Sequence, residues 1–488
     1  MKGLNIYLMT KNNSSTNKNI FEPKQLKKER PIWINLIILA FPIAIYLLFQ
    51  HLSSAIDFYI IKTNPRSNEN IEGAITYLKQ IKQVLNSIAI ALGGAGVVLV
   101  SREYKQKNDQ KAKQYANLSF VIAVLSSLII FFIFYFGNLL PSPLGNIFLN
   151  KAFHPDGGKE YYNISLLTFV FITINAMFMG LERSKNKNSF VLFLNVFNII
   201  CRISISFVFK YTKGLDITIV HLALADLFSN LMISILAFYF MFHPKNDFQI
   251  QFHKLIFSKD IIKNTLKLSG ILVIGKTTYV IGKKFINDMI IKFYGEGDGS
   301  EILKITGFVT IINGIFYCIS QSFEDSESVM VSQNASLNKN KKTLKIFKNV
   351  FIITLITGIA GIFFNQFFGQ KLLPFLTNKE IDNAKLKNFK EILFYEQMSL
   401  FTSVWASMIM IYIMSYKKNA NIVLLLNILR IITRMCLLYI FHDYTKINIY
   451  TQFGLSTSLS NIIVLITTIA LFMSFIKKQQ IIELQTNK

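Results

Sequence analysis

Acidic residues and cysteines are scarce in this chain: 27 Asp and Glu stand against 52 Lys and Arg, and only three cysteines occur in 488 residues. Cys201, Cys318 and Cys436 are odd in number, lie inside apolar stretches and lack metal-ligand spacing, which makes them packing residues rather than a disulfide framework or a thiolate site. His221, His243 and His253 have no metal spacing either, so no metal or cofactor is expected. The chain holds no Gly-x-x-x-x-Gly-Lys-Ser/Thr loop, no His-Glu-x-x-His and no Gly-x-Ser-x-Gly. These absences argue against ATP-driven work and against an enzyme. Residues before Pro31 offer no apolar core for a cleaved signal and read as a cytosolic basic tail.

What is abundant is apolar surface. The chain is 52% hydrophobic and 14% aromatic, with 45 Phe, more than a water-soluble core can hide. A bilayer core of about 30 Å needs roughly 20 apolar residues per helix. The sequence meets that length at 32–58, 83–101, 115–136, 162–181, 189–209 and 217–242, and again at 266–291, 305–328, 346–368, 392–415, 420–441 and 449–476. The fold class is therefore an all-α polytopic membrane protein of about twelve helices. It divides into a basic tail (1–31), a first six-helix lobe (32–242), a linker (243–265), a second lobe (266–476) and a short tail (477–488). The net charge of +25 comes largely from tails and short loops, which points to topology and anionic membrane lipids rather than nucleic acid. Lys and Arg favour the tails and even-numbered connections, so both termini are expected in the cytosol of a bacterial plasma membrane.

The two halves resemble one another at a spacing of about 230 residues. Leu194-Asn195-Val196-Phe197-Asn198-Ile199-Ile200-Cys201-Arg202 aligns with Leu426-Asn427-Ile428-Leu429-Arg430-Ile431-Ile432-Thr433-Arg434, and Val100-Ser101 with Val331-Ser332. Six spans per half give the halves the same direction through the membrane, with a cavity expected between them.

Three segments together resemble the multidrug and toxic compound extrusion (MATE) family, within the multidrug/oligosaccharidyl-lipid/polysaccharide flippase group. They are Ala40-Phe41-Pro42 followed by Asp57; Gly93-Gly94-Ala95-Gly96-Val97-Val98-Leu99-Val100-Ser101-Arg102; and Val329-Met330-Val331-Ser332-Gln333-Asn334-Ala335. The resemblance implies a monomeric secondary transporter, with Asp57, Asn195 and Asn198 at a site for a coupling H⁺ or Na⁺. Arg202 departs from the family pattern, which places an Asp one turn beyond such an Asn. It either pairs with Asp57, binds an anionic substrate or makes a structural contact.

An ionised group near the bilayer centre costs about 2.5–3.5 kcal/mol on insertion scales, so charges inside spans carry information. Lys276, Lys283 and Lys284 share one face of the seventh span, with Asn287 nearby and Asp288 four residues beyond Lys284. Glu324, Asp325 and Glu327 approach on the eighth span, at the depth of Lys276 and where the first half has glycines. This set is either a neutralised helix-to-helix network or a polar cavity wall. Asp226 and Glu396 are weaker candidates, Asp226 as a helix contact and Glu396 as a solvated residue at the start of the tenth span. The expected activity is cation-coupled export of small, cationic amphipathic compounds by alternating access. The alternatives are a flippase for lipid-linked oligosaccharide or lipid, and a membrane scaffold or channel.

Overall fold

The computed structural model describes residues 31–62, 69–141, 158–213, 218–250, 258–376, 383–418 and 420–486, and no strand occurs among them. The first lobe contains α1 (Ile32–Lys62), α2 (Glu69–Lys105), α3 (Asp109–Asn138), α4 (Gly158–Ser184), α5 (Asn188–Lys213) and α6 (Ile219–Phe242). The next helical run, Lys259–Ala335, is broken at Gly295, whose φ of 79° and ψ of 173° fall in a region open essentially to glycine. The break leaves α7 over 259–294 and α8 over 296–335. The chain then folds back so tightly that a Cβ at Gly299 would stand 3.1 Å from the Ile290 carbonyl oxygen. α9 (Asn340–Leu376), α10 (Asn383–Lys417), α11 (Asn421–Tyr444) and α12 (Ile449–Thr486) complete the second lobe.

Among the described residues, ten helices hold a stretch long and apolar enough to cross a membrane, and Ile32–Ile45 is a shorter apolar run. Large side chains such as Ile129, Phe132 and Phe136 on α3 and Ile356, Phe363 and Phe367 on α9 stand exposed, the outward face a lipid solvent requires. This is a multi-pass membrane protein. Several helices outrun the predicted spans: α2 begins at 69 rather than 83, α7 at 259 rather than 266, and α10 at 383 rather than 392. Hydropathy marks the part in lipid, whereas a helix satisfies its own backbone and continues unbroken into water.

The repeat is visible in backbone detail. Among the described residues, four non-glycine residues have positive φ, Lys107, Asn186, Asn338 and Lys418, and each follows the end of an even-numbered helix. Lys107 answers to Asn338 and Asn186 to Lys418 at the same spacing of about 230 residues. In the first three turns the next amide closes a Schellman-type bond five residues back, Asn108 to Glu103, Lys187 to Glu182 and Lys339 to Asn334.

Packing repeats as well. α1 lies on α5, α2 on α3 and α4, α4 on α6, and α5 on α6. In the second lobe α7 lies on α11, where Gly275 meets the Leu424 backbone. α8 lies on α9 and α10, through Asn313–Asn365 and Glu324–Ser407. α10 and α11 both pack on α12.

The short turns after α2, α4, α8 and α10 share one face, here the basic face. Two apolar clusters join the lobes in that half of the molecule. One brings Leu268 and Leu272 of α7 and Met410 and Met414 of α10 onto the first lobe. The other seats Leu36, Leu39 and Ala40 of α1 among Phe323, Met330, Val404 and Met408. The cluster toward the opposite face, with Ile286, Ile290, Ile302 and Phe453, belongs to the second lobe alone.

Candidate functional site

In the first lobe the charged residues converge on Asp226 of α6. Lys82 Nζ and Arg202 Nε each donate to a different oxygen of its carboxylate. All three side chains are largely buried, and each cation compensates for the desolvation of the anion it touches. Asp226 therefore holds a stronger position than sequence reasoning assigned it. Lys82 was missed because it lies one residue before the predicted second span; the signal was a lysine at the edge of an apolar run. Asn195 and Asn198 of α5 are buried, with side-chain carbonyl oxygens that accept no hydrogen bond among the described residues. The Asp57 side chain lies outside the described residues. His221, five residues before Asp226, caps α6: its Nδ1 accepts from the Thr218 amide at 3.1 Å.

Beneath this network, Asn175 of α4 donates to the Asn230 carbonyl at 3.0 Å, and Ser234 donates to Asn175 Oδ1 at 2.8 Å. Asn230 and Ser229 in turn donate to the Asp226 carbonyl at 2.9 and 3.1 Å, fixing the helix turn that carries the carboxylate.

The second lobe places its charges differently. Glu324 accepts from Ser407 Oγ at 2.8 Å. Lys276 lies within electrostatic reach of both Glu324 and Asp325. Asp325 also faces across the lobes, 3.8 Å from Arg183 of α4. Glu327 is 0% exposed, and neither of its oxygens has a hydrogen-bond partner among the described residues. Lys283 is exposed, with its ammonium 5.0 Å from the Tyr279 ring centroid. Lys284 and Asp288 are exposed and Asn287 is half-buried. Glu396 departs from expectation: with α10 starting at Asn383 it sits well inside the helix, half-buried and within electrostatic reach of Arg434.

Arg430 and Arg434 of α11, aligned with Asn198 and Arg202 in the sequence repeat, each stand over an aromatic ring. Arg430 is 7% exposed, stands 5.4 Å from the Tyr279 ring centroid, and has Nε and Nη2 without hydrogen-bond partners among the described residues. Arg434 lies 5.1 Å from the Phe453 ring centroid.

The lobes are tied together by polar contacts at the basic face. Arg102 donates to the carbonyls of Ser415 and Tyr416 at 3.1 and 2.9 Å, and Gln106 donates to the Ser336 carbonyl at 2.6 Å. Lys418 lies 3.9 Å from Glu103. The α4–α5 turn is braced from within its own lobe: Lys185 pairs with Glu182 and donates to Asn246 Oδ1 at 2.9 Å. Burial holds this lysine below its usual range against the opposing pull of Glu182.

Residues 42–208 match the MatE family model. No curated protein matches the chain. Among solved structures, an outward-facing multidrug resistance MATE family transporter of the MOP superfamily shares 16% identity, covers 93% of this chain and 97% of its own, and superposes with a TM-score of 0.80. A MATE structure in complex with MaL6 shares 16% identity over 91% and 97% of the two chains, with a TM-score of 0.77. A MOP superfamily transporter from Pyrococcus furiosus, described as having a binding pocket of reverse polarity, shares 15% identity over 91% and 96%, also with a TM-score of 0.77. Identities this low speak for the fold, and the family model covers the stretch from Pro42 to Val208. Residues 42–208 thus carry a MatE domain, and the chain as a whole has the twelve-helix fold of the MATE transporters of the MOP superfamily.

Proposed function

We propose that this protein is an ion-coupled secondary exporter that moves an amphipathic solute by alternating access between its two lobes. The observation that carries the reading is the position of the lobe-to-lobe contacts. Among the described residues, Arg102, Glu103, Gln106 and Arg183 of the first lobe meet Ser336, Asp325, Ser415, Tyr416 and Lys418 of the second only toward the basic face. Basic residues favour the cytosolic side, so this arrangement is closed to the cytosol. A transporter must be able to exchange such a closure for its mirror image. The contacts suit that role, since hydrogen bonds to turn carbonyls contribute about 0.5–1.5 kcal/mol and half-exposed ion pairs about 0–1 kcal/mol, so they break at modest cost.

A coupling role for the first-lobe network is part of the proposal. Lys82 and Arg202 both favour the ionised form of Asp226, so a proton or Na⁺ would act there only when one of these cations is drawn away, and its binding would then loosen α2 or α5 from α6. Asp57 on α1 is the second carboxylate proposed for coupling.

Proteoliposomes test this reading under an imposed pH or Na⁺ gradient, with a panel of anionic and cationic fluorescent amphipaths. Gradient-dependent flux that Asp226→Asn abolishes is the expected result. Movement of a labelled lipid without any gradient would establish the flippase reading, and no flux of any probe would leave a scaffold or channel.

A further inference from the structure

The two lobes repeat the same hydrogen bonds around one position but place different chemistry there. In α6, Ser229 and Asn230 donate to the Asp226 carbonyl. In α12, Ser460 and Asn461 donate to the Thr457 carbonyl at 2.8 and 3.1 Å. Thr457 is therefore the counterpart of Asp226. The residue each should face is also repeated, since Arg202 of α5 corresponds to Arg434 of α11. The first lobe thus supplies a carboxylate to its arginine, and the second supplies a hydroxyl-bearing residue whose Oγ1 is spent on the Phe453 carbonyl.

The second lobe also adds a cation. Asn198 becomes Arg430, nine-tenths buried with two guanidinium nitrogens unpartnered. Lys276 and Lys283 approach from α7. Of the nearby carboxylates, Glu324, which accepts from Ser407, acts on Arg430 only at a distance, as Glu396 does on Arg434, and the group in contact with Arg430 is the Tyr279 hydroxyl. No carboxylate forms an ion pair with Arg430 or Arg434 among the described residues. Burying Arg430 without a paired anion is costly, and the half-buried Arg434 one turn on brings a second guanidinium to the same helix face.

We infer that the missing anion is the ligand: α7, α11 and α12 of the second lobe form a binding site for a phosphate group, with Arg430 and Arg434 as its principal donors and Lys283 at its rim. Phosphate is the chemistry favoured, because a guanidinium offers paired parallel donors to its oxygens and Lys283 adds a point charge. Arg430 and Arg434 lie roughly 13 and 20 Å along α11 from its basic-face end, by the helical rise, which is the midplane depth of a transported solute. The inference gives the substrate of the proposed exporter an anionic head rather than the cationic one that the sequence suggested, and it rests on that reading only for the word substrate.

Binding is measured without transport, on the full chain in neutral detergent, by thermophoresis with three probes: inorganic pyrophosphate, a short-chain phosphatidic acid and tetraphenylphosphonium. Binding of either phosphate probe, with preference over the cation, is expected. Pyrophosphate binding shows that the phosphate group suffices, whereas binding of phosphatidic acid alone assigns the site to a lipid headgroup. Arg430→Gln should weaken binding tenfold or more and Arg430→Lys should restore part of it. Thr457→Asp, which gives Arg434 the carboxylate its twin already has, should abolish binding while leaving both arginines in place. The inference fails if wild-type protein binds neither phosphate probe, or if a folded Thr457→Asp protein, eluting as a single species, binds them as wild type does. Export of cations in the vesicle assay with no phosphate binding would overturn this inference and leave the transport reading standing.

Discussion

Asp226 shows how one side chain can hold three helices. It receives Lys82 from α2 and Arg202 from α5, and its own turn on α6 is pinned by Ser229 and Asn230. Asp226→Asn keeps the shape but strips both cations of their carboxylate. Breaking a buried pair in this way costs about 3–5 kcal/mol, so detergent-purified Asp226→Asn should melt well below wild type. The double substitution Asp226→Asn with Lys82→Met should recover part of the loss, because it removes one of the two stranded charges. Melting curves of the two variants decide this, and equal melting temperatures would show that Lys82 carries no weight in the network. The position was half legible in the sequence. A carboxylate inside an apolar span announced itself, but its partners lie 24 and 144 residues away in the chain, and only the packing of α2, α5 and α6 shows which cations reach it.

At the scale of elements, the asymmetry between Gly93-Gly94-Ala95-Gly96 and Glu324-Asp325-Ser326-Glu327 gains a physical meaning. A Cβ at Gly93 would stand 3.1 Å from the Ala176 carbonyl oxygen, so α2 and α4 pack backbone to backbone. The matching pair in the second lobe is Glu324 and Ser407, which meet through a hydrogen bond instead. One crossing is held by close approach and the other by a polar contact. Gly93→Leu should destabilise by about 1–3 kcal/mol through overpacking, measurable as a lower melting temperature, whereas Glu324→Gln should be tolerated because it keeps an acceptor for Ser407. The Gly295 break makes a separate prediction. Gly295→Ala places a side chain at φ 79°, ψ 173°, at a cost of about 1–3 kcal/mol. It should slow assembly of the α7–α8 hairpin and raise protease sensitivity near residue 295, and unchanged melting and proteolysis would show that the chain has another way to turn.

For the whole molecule, the decisive feature is that the lobes join at one face. Arg102→Ala removes two hydrogen bonds to α10 and should shift the population toward a form open at the basic face. Spin labels placed across that face would report a new, longer distance, and an unchanged distribution would mean that the apolar clusters alone hold the closure. The sequence by itself determined the solvent, the helix count and the two-fold repeat, because apolar run length and self-similarity are local properties written along the chain. It also singled out the buried carboxylates Asp226, Glu324 and Glu327, since ionised residues in lipid-length segments are few enough to notice, whereas Lys82, Glu182 and Lys185 lie at or beyond the ends of those segments. Tertiary structure alone decided how those charges are shared: that Asp226 takes both Lys82 and Arg202, that Arg183 reaches Asp325 across the lobes, and that Arg430 is left without a carboxylate. Electrostatic pairing depends on separations of a few ångströms between helices far apart in the chain, and those separations are set by packing.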